Sequence, residues 1–506
     1  MLTRAEPILR KRVIETLSVR FKSKVELSEL HVWIADGIHA EGKGLKIYGV
    51  NDPNRWEPGV QPLIAIGEFH FQTGLNNLFL QPMRVDSVFV QGFTMNLPPK
   101  NERRQMANFR QKGKIRIIVD KFIFSDAQIV INTENPNKPP LEFDINDLRL
   151  TSTGQARPMR FVAKLVNPRP IGNIESTGFF GPLNEYSPRD TAVSGDYTFI
   201  DADLGTIRGL GGILSSEGHY SGRLGRIEVE GKTETPDFRL AVSGHPLPLH
   251  TEFQAIVDGT DGDTYLESVR AKLQHSPIVA KGKIIRTKRV QGVQGHDIEL
   301  DVVLNQAKIQ DLLTVGVRTQ PPVMSGEIEL NCRLSLLPGE GDVADRLHLM
   351  GKFHVPSGLF DNEKLQRRIN DISFRSRGKL NLVGKTPDEP IPSDLQGAFK
   401  LNNGILSFSS LQFQIPGTNA DMSGQYSLDG KVFDFHGTLR MEAKLSQMTK
   451  GWKSILLKPV DPFFHKDGAG TEIPFKITGT RAEPHFGLDF GHKEPPKVGQ
   501  ELTTKE

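Results

Sequence analysis

The chain has 506 residues, 24% of them charged, and a formal net charge of only +3. This balance is not that of a typical nucleic-acid-binding protein, in which cations concentrate in one basic stripe. Hydrophobic residues make up 37% of the chain. No run of about 18 apolar residues occurs, so the sequence contains neither a predicted transmembrane helix nor the apolar core of a signal peptide. The single cysteine, Cys332, cannot form an internal disulfide and does not decide between a reducing and an oxidising compartment.

The first 24 residues form a basic segment with helical periodicity. Leu9, Val13, Leu17 and Phe21 recur every four residues after Pro7, which predicts an amphipathic helix. Seven cations face two carboxylates in this segment, a net charge of +5. Such a helix lies on a membrane surface or, alternatively, caps the first strands with its charges in solvent. The cations expected at a membrane surface are Arg10, Lys11, Arg12, Arg20 and Lys22.

Apolar and polar residues alternate after this helix, which predicts strands with one dry and one wet face. The first predicted strands are Glu26–Ile34, Gly67–Phe71, Arg84–Val90, Ile115–Val119 and Gln128–Ile131. The polar segment 98–114 is predicted to be a loop or short helix, and Asn135–Pro140 and Asn167–Pro170 are predicted turns.

A short phrase, glycine followed by apolar residues two and four positions later, then repeats along the chain. It begins at Gly195, Gly282, Gly326, Gly351, Gly378, Gly397, Gly424 and Gly437. We interpret each phrase as a turn glycine that opens a strand with one apolar face. Repetition of one strand unit over several hundred residues favours an extended, stacked sheet over several unrelated globules.

Three segments have helical periodicity among these strands, and the chain ends in a polar tail. The predicted helices are Asn305–Val315, Asn362–Ile372 and Leu445–Leu457, which we expect to cap ends or cover an edge of the sheet. The tail Gly491–Glu506 is predicted to be disordered.

The motifs that resemble reactive or ligand-binding sites have simpler structural interpretations. Gly205–Gly218 lacks a phosphate-loop spacing and is predicted to form tight turns. Asp258–Asp263 fails the EF-hand pattern, because its twelfth position is Val269 and not Glu; Asx-type turns explain it, although a looser calcium site stays an alternative. The pair His245 and His250 has no zinc-site spacing.

No catalytic constellation is found in the sequence. Cys332 lies mid-strand with inward parity and is predicted to be a packed thiol, and no G-x-S-x-G elbow occurs. We therefore expect no enzyme activity and no cofactor or metal.

The remaining candidate is the apolar strand face, which is either the sealed core of a sandwich or barrel or an open groove for an acyl chain. Each buried methylene contributes about 0.8 kcal/mol, so a chain of about sixteen carbons gains on the order of 10 kcal/mol.

Longer phrases carry a family resemblance. Gly397–Gly417, Trp452–Phe464 and Gly468–Pro474 resemble the AsmA-like C-terminal domain. Upstream, the phrases Gly231–Phe238, Gly244–Leu249 and Val257–Thr264 resemble the central part of bacterial members of that family. The likeness runs from about Val25 to Phe490.

The resemblance implies an all-β fold: an elongated, twisted, gutter-shaped groove of repeating strands with an apolar concave lining and a few short capping helices. AsmA-like proteins are related to chorein-type, bridge-like lipid-transfer proteins. The expected sections are a basic helix (1–24), an N-terminal groove section (25–190), a central groove section (191–355), an AsmA-like C-terminal domain (356–490) and the tail (491–506).

The resemblance also implies non-enzymatic binding and bridging of phospholipid across the periplasm, in support of outer-membrane biogenesis and integrity. The expected partners are phospholipid or another acyl lipid, the inner membrane and outer-membrane proteins, but not nucleic acid. The alternative is a structural or assembly factor that acts on outer-membrane proteins through exposed strand edges.

Relatives carry an N-terminal membrane anchor that this sequence lacks. We therefore expect that the chain begins inside a longer reading frame or that the anchor was trimmed. The side chains expected to line the groove are Ile227, Val229, Phe238, Leu240, Ile328, Leu330, Leu380, Leu382, Phe399, Leu401, Phe433 and Phe435.

Overall fold

A computed structural model describes most of the chain. The described residues are 6–21, 23–48, 61–80, 83–98, 117–132, 140–153, 158–182, 184, 187–290, 293–318, 320–339, 341–385, 390–443, 471–480 and 484–489. The predicted helix Leu445–Leu457, the segment 99–114, most of the turn Asn135–Pro140, the phrase Trp452–Phe464 and the tail Gly491–Glu506 lie outside these residues.

The predicted all-β class is confirmed, since strands make up 66% of the structure. The first strands are β1 (Val25–Glu26), β2 (Glu29–Ile34), β3 (Ile38–Ile47), β4 (Ile64–Thr73), β5 (Met83–Leu97), β6 (Ile117–Ile131), β7 (Leu141–Thr153), β8 (Met159–Pro168) and β9 (Ile171–Phe180). The middle strands are β10 (Ala192–Asp203), β11 (Leu210–Gly211), β12 (Ile213–Arg223), β13 (Arg226–Leu240), β14 (Leu247–Val257), β15 (Thr264–Leu273), β16 (Ser276–Val290) and β17 (Val293–Lys308). The last strands are β18 (Met324–Ser325), β19 (Glu327–Leu336), β20 (Leu347–Phe360), β21 (Ser393–Asn402), β22 (Ile405–Ile415), β23 (Thr418–Ser427), β24 (Phe433–Met441), β25 (Thr471–Gly479) and β26 (Pro484–Leu488).

Neighbouring strands along the chain pair antiparallel in most of the sheet. From β2 to β5 and from β6 to β10 each strand pairs with the next. β5 and β6 form a parallel pair, with Val88 opposite Phe122. The sequence prediction had split β6 into two strands, but its 15 residues form one.

Contacts divide the chain into two compact units. Unit 1 comprises Met1–Val302 and Leu334–Arg346, and unit 2 comprises Val303–Arg333 and Leu347–Glu506. In each unit the sheet is curled and open, in the form of a half-barrel or groove. These units are defined by packing, and the five sections expected from sequence phrases remain a prediction.

Six of the eight glycines of the repeated phrase lie inside strands, so their interpretation as turn residues that open strands was wrong, whereas Gly326 directly precedes β19 as predicted. Gly195 is the fourth residue of β10, and Gly424 lies in the middle of β23. A Cβ atom on Gly195 would lie 3.0 Å from Gly178 Cα on β9, and one on Gly424 would lie 2.7 Å from Phe435 Cα on β24. Because real Cβ atoms need more room, only glycine lets adjacent backbones approach this closely on the apolar face. At these positions glycine leaves the room on the apolar face that the close strand approach requires.

Gly378 has a different role from the other phrase glycines, because it ends a helix. Its φ of +69° is favourable for glycine, and its N–H donates to Arg375 O while Lys379 N–H donates to Phe374 O. These two bonds are those of a Schellman C-cap. The predicted strand Gly378–Leu382 is therefore wrong: the residues after Gly378 form successive turns.

The described residues contain four α-helices. They are α1 (Glu6–Phe21), α2 (Ile309–Gly316), α3 (Val343–Arg346) and α4 (Glu363–Ser376). α2 begins later than predicted because β17 continues to Lys308. α4 begins as predicted, with the Asn362 side chain accepting a hydrogen bond from Leu365 N–H as an N-cap.

α1 packs against the first strands of unit 1. Its Val13 and Ile14 contact a core cluster of Leu27, Leu30 and Ala40. Arg10 Nη1 donates to Ser28 O at 2.6 Å, which ties the helix to the start of β2. These contacts show that α1 caps the first strands, which was one of the two alternatives for this helix.

Candidate functional site

Strand β13 of unit 1 has one charged face and one apolar face. In β13, Arg226, Glu228 and Glu230 are exposed, whereas Ile227 and Val229 are half-buried. The alternation is that of a sheet in which one face is sheltered and the other is in solvent.

Residues directly opposite each other on paired strands form a continuous apolar row across unit 1. In spatial order the row is Val32, Ala40, Phe71, Val88, Phe122, Leu150, Phe161, Gly178, Gly195, Tyr220, Val229, Ala255, Leu266 and Gly282. A second row runs beside it through Leu30, Gly42, Phe69, Val90, Phe124, Leu148, Ala163, Ser176, Tyr197, Gly218, Gly231, Phe253, Val269 and Ala280.

The side chains of the first row are sheltered but mostly not sealed. Phe122, Leu150, Phe161, Val229 and Leu266 are all half-buried. Apolar side chains in a closed core are almost completely buried, and those on an open convex face are largely exposed. Half-burial along a row is what a curled, uncovered lining produces, because its side chains shelter only one another.

Two tyrosines lie across the floor where glycine is most frequent. A Cβ atom on Gly218 would lie 2.7 Å from Tyr197 Cε1, and one on Gly195 would lie 2.8 Å from Tyr220 Oη, so the phenol rings occupy the space above these glycines. Tyr220 Oη lies 2.7 Å from Ser176 Oγ, which donates to the carbonyl oxygen of Asp196. Burial raises the pKa of both phenols, so they stay neutral donors at physiological pH.

Unit 2 has an apolar lining of the same design but with denser aromatic packing. One row passes through Gly351, Phe399, Phe408, Gly424, Phe435 and Ile477. Phe435 lies 5.8 Å from Phe408 and 5.0 Å from Phe433 between ring centroids. Phe399 and Phe435 are only 8% and 6% exposed, so in this part the lining residues bury one another.

The structure places ten of the twelve predicted lining residues on apolar strand faces. Ile227, Val229, Leu330 and Phe433 are half-buried on the linings, and Ile328 and Leu401 are buried in unit 2 beside Phe399 and Phe435. Phe238 and Leu240 share the face of Ile227 only because a bulge between Thr235 and Phe238 reverses the parity of β13.

Leu380 and Leu382 are not on a groove strand, so their assignment to the lining is wrong. They lie in the turns that follow the C-cap of α4. The alternating phrase that suggested a strand is instead a helix end, and alternation over five residues does not distinguish the two.

Sequence analysis missed the aromatic part of the lining in unit 1. Phe122 and Phe124 stack with centroids 5.4 Å apart, and Phe93 meets Phe124 edge-on at 5.1 Å. Their alternate spacing in the sequence was the available signal. The parallel pairing of β5 with β6, which brings Val88 and Val90 beside them, was not visible in it.

A trough of about 620 Å³ in unit 1 is lined by charged side chains of the opposite face together with Tyr197 and Phe253. Its walls alternate carboxylates and cations, among them Glu217, Lys232, Glu252 and Arg270. Lys232 Nζ lies 2.8 Å from Glu217 Oε1, an exposed pair of the kind that contributes little to stability. The trough is open, and both of its cations, Lys232 and Arg270, lie opposite carboxylates on neighbouring strands. We therefore take the continuous apolar face as the better candidate site.

The motifs at Asp258–Asp263 and at the paired histidines have structural roles in the described chain. Asp258 Oδ1 accepts from Thr260 N–H in an Asx turn, and its Oδ2 contacts Arg189. Asp263 Oδ1 accepts from Arg286 N–H. His250 Nδ1 lies 2.6 Å from Glu234 Oε1. No group of three metal-ligating side chains occurs among the residues that were placed.

The remaining motifs also have structural roles. Gly205–Gly218 forms tight turns only in its first half, since Gly218 lies inside β12. Cys332 is half-buried on the apolar face of β19, and burial raises its pKa to about 11. At neutral pH this thiol is therefore protonated and a poor nucleophile.

The basic residues of α1 are exposed where their side chains are described. Lys11 and Arg12 face solvent, and Arg10 is exposed while it binds Ser28 O. The side chains of Arg20 and Lys22 lie outside the described set. Their role at a membrane surface stays a prediction. None of the helices within the described ranges has the length and apolar character needed to cross a bilayer.

Comparison of the chain with protein-family models found no match, and comparison with curated proteins found none either.

Proposed function

We propose that this protein is a non-enzymatic lipid carrier of the AsmA-like type, in which the acyl chains of phospholipid lie on the curled apolar lining. The observation that carries the proposal is the continuous row of half-buried apolar residues, exemplified by Phe122, Phe161 and Val229. Such a row is uncovered and apolar, and it runs across many strands.

The dimensions of the row suit an acyl chain. The unit 1 row crosses more than ten strands, and paired strands are about 4.8 Å apart, so it is longer than one extended acyl chain of about 20 Å. A chain of about sixteen carbons gains on the order of 10 kcal/mol if fully buried and about half of that on an open surface. The opposite face, which carries charged side chains among exposed apolar ones, keeps the carrier in water while the lining holds lipid.

Lipid retained by the purified protein tests the proposal. The triple variant Phe122→Glu, Phe161→Glu, Val229→Glu places three carboxylates on the row. Bound acyl chains would have to desolvate these charges, so lipid recovered by organic extraction and mass spectrometry should fall at least tenfold.

A matched control places the same substitutions on the opposite face. Phe89, Phe179 and Val279 are 39%, 53% and 53% exposed, and their Glu variants should retain lipid at the level of the unmodified protein. Equal lipid content in the two folded triple variants, or no lipid in the unmodified protein after expression in bacteria, would refute lipid carriage.

The same proposal assigns the protein to the periplasm of a bacterium, at the inner membrane, with the outer membrane as the destination of the lipid. Fractionation of cells that express the full gene product tests this assignment, because recovery in the cytoplasmic fraction contradicts it.

A second candidate function is assembly of outer-membrane proteins through an exposed strand edge. Among the described residues, β26 pairs with β25 on one side and with no other strand, and its Leu488 is 52% exposed. An unpaired edge can accept a strand from another chain. Capture of outer-membrane proteins by lipid-free protein would favour this function.

A further inference from the structure

Positive charge is concentrated on α4 and the turns that follow it. Residues 363–385 hold seven cations and two carboxylates, a net charge of +5, whereas the whole chain has only +3. Six of the seven cations are exposed: Lys364, Arg367, Arg368, Arg375, Lys379 and Lys385. This segment is therefore a local basic surface.

The helical period separates the basic residues of α4 from its buried side. Lys364, Arg367, Arg368 and Arg375 fall at spacings of three, four and seven residues, so they share one face of the helix. We call these four residues the α4 basic stripe. The opposite side of α4 is buried against strand ends of unit 2, so the stripe faces away from the sheet.

The buried side of α4 is fixed by hydrogen bonds, which make the stripe a rigid platform. Gln366 Nε2 donates to Ile391 O, and the Asn370 carboxamide oxygen accepts from Ile391 N–H. Ser373 Oγ donates to Pro416 O. The helix cannot turn over without breaking these bonds, so the cations stay presented to solvent.

Among the described residues, three cations of the α4 basic stripe lack the carboxylate partners that some cations on the sheet have. On the sheet, Lys308 pairs with Glu327 at 3.0 Å, and Arg440 pairs with Asp421. Within the described ranges, Lys364, Arg367 and Arg368 have no carboxylate within ion-pair distance. Unmatched cations repel one another, and an anionic partner removes that repulsion.

We propose that the α4 basic stripe is a docking surface for an anionic lipid bilayer. Leu365, next to Lys364 on α4, is 38% exposed, and Leu382 is half-buried in the turns beside Lys379. Cations interleaved with exposed leucine suit the headgroup region of a membrane. Single-stranded nucleic acid needs aromatic rings for stacking, but Phe374, the aromatic residue of α4, is buried.

The docking surface does not depend on lipid carriage, because it lies on a helix and not on the apolar lining. The test measures co-sedimentation of the full chain with vesicles of phosphatidylglycerol and phosphatidylethanolamine, and with vesicles of phosphatidylcholine alone. The stripe variant is Lys364→Gln, Arg367→Gln, Arg368→Gln. The matched control, Lys272→Gln, Lys281→Gln, Lys352→Gln, removes the same charge from exposed positions on strands.

The stripe variant should bind the anionic vesicles about a hundredfold more weakly than the control, since each cation near such a surface contributes about fivefold. The difference should shrink when ionic strength rises from about 0.05 M to about 0.5 M. Any contribution of α1 to binding is the same in both variants and cancels. All exchanged residues are exposed, so both variants should unfold at the same temperature as the unmodified protein.

Equal binding of the two variants to anionic vesicles would overturn the proposal. The proposal would also be overturned if the stripe variant lost binding to a single-stranded oligonucleotide or an acidic protein while its binding to vesicles was unchanged. Retained lipid in the stripe variant is measured in the same preparation. The retained lipid tests lipid carriage and the vesicle binding tests membrane docking, so each proposal can fail without the other.

Discussion

The phenol ring of Tyr197 on β10 lies directly over Gly218 on β12, and the two residues are opposite each other in the register. A Cβ atom on Gly218 would lie 2.7 Å from Tyr197 Cε1 and closer still to the carbonyl oxygen of Glu230 on β13. The ring fills the space that a missing side chain leaves, while the glycine allows the strands to approach. This pairing of a small and a large residue fills the lining where β10 and β12 pair.

Substitution of Gly218 by alanine should therefore destabilise the fold. The new methyl group meets backbone on one side and the ring on the other, so the strands must separate. The free energy of unfolding in urea should fall by about 1–3 kcal/mol. Gly487→Ala in β26 is the matched control, because its nearest heavy atom would be Lys476 Cε at 3.6 Å. Equal effects of the two substitutions would mean that the close approach at Gly218 does not matter.

The sequence contained the location of such glycines but not their role. In the repeated phrase, glycine precedes apolar residues by two and four positions, so in a strand it shares their face. Gly195 shares the face of Tyr197, and Gly424 shares the face of Tyr426. The strand class, the inward parity and α4 with its Asn362 cap were predictable from periodicity and capping chemistry.

What the sequence did not reveal depends on contacts between distant residues. The inward direction of Phe238 requires the bulge in β13. The aromatic stack at Phe122 requires the parallel pairing of β5 with β6. The same glycine phrase is a strand at Gly195 and a helix C-cap at Gly378, because the preceding helix determines which occurs. Local alternation carries none of this information.

The buried tyrosines predict an alkaline limit to stability. An unfolded tyrosine ionises near pH 10, whereas burial raises the pKa of Tyr197 and Tyr220 in the folded protein. The contribution of these two phenols to the free energy of unfolding is therefore complete below about pH 10 and is lost as the pH rises toward their raised pKa values. In Tyr197→Phe, Tyr220→Phe, the free energy of unfolding should fall less steeply with pH above about 9.5. Tyr265, 46% exposed, is the control site, and its Phe variant should keep the steep slope. Parallel slopes for the double variant and the unmodified protein would contradict buried, neutral phenols.

The thiol of Cys332 should react slowly in the folded state. With a pKa of about 11 caused by burial, only about a thousandth of the thiol is ionised at pH 8, against roughly a quarter for an ordinary thiol. Alkylation by iodoacetamide, followed by mass spectrometry, should be at least a hundredfold slower in buffer than in concentrated urea. Cys332 is the one cysteine of the chain, so the signal needs no background substitution. Similar rates in both conditions would show that the apolar face of β19 is open to water.

The packing of α1 predicts that its two sides respond differently to charge. Val13 and Ile14 contact the core cluster around Leu30, whereas Ile8 and Val19 are 65% and 78% exposed. Val13→Asp, Ile14→Asp buries charge against apolar neighbours and should lower the free energy of unfolding by about 2 kcal/mol. Because the helix then detaches, backbone amides of β2 and β3 should exchange hydrogen faster, as measured by mass spectrometry.

Ile8→Asp, Val19→Asp adds the same charge to the exposed side of α1 and should leave both stability and exchange unchanged. This control separates the capping role of the helix from a role at a membrane surface, since substitution of the exposed side affects only the second. If both double variants accelerated exchange in β2 and β3 equally, charge would destabilise α1 in general, and the contact of Val13 and Ile14 with the core would not explain it. If neither did, α1 would not be required to shelter the first strands of the lining.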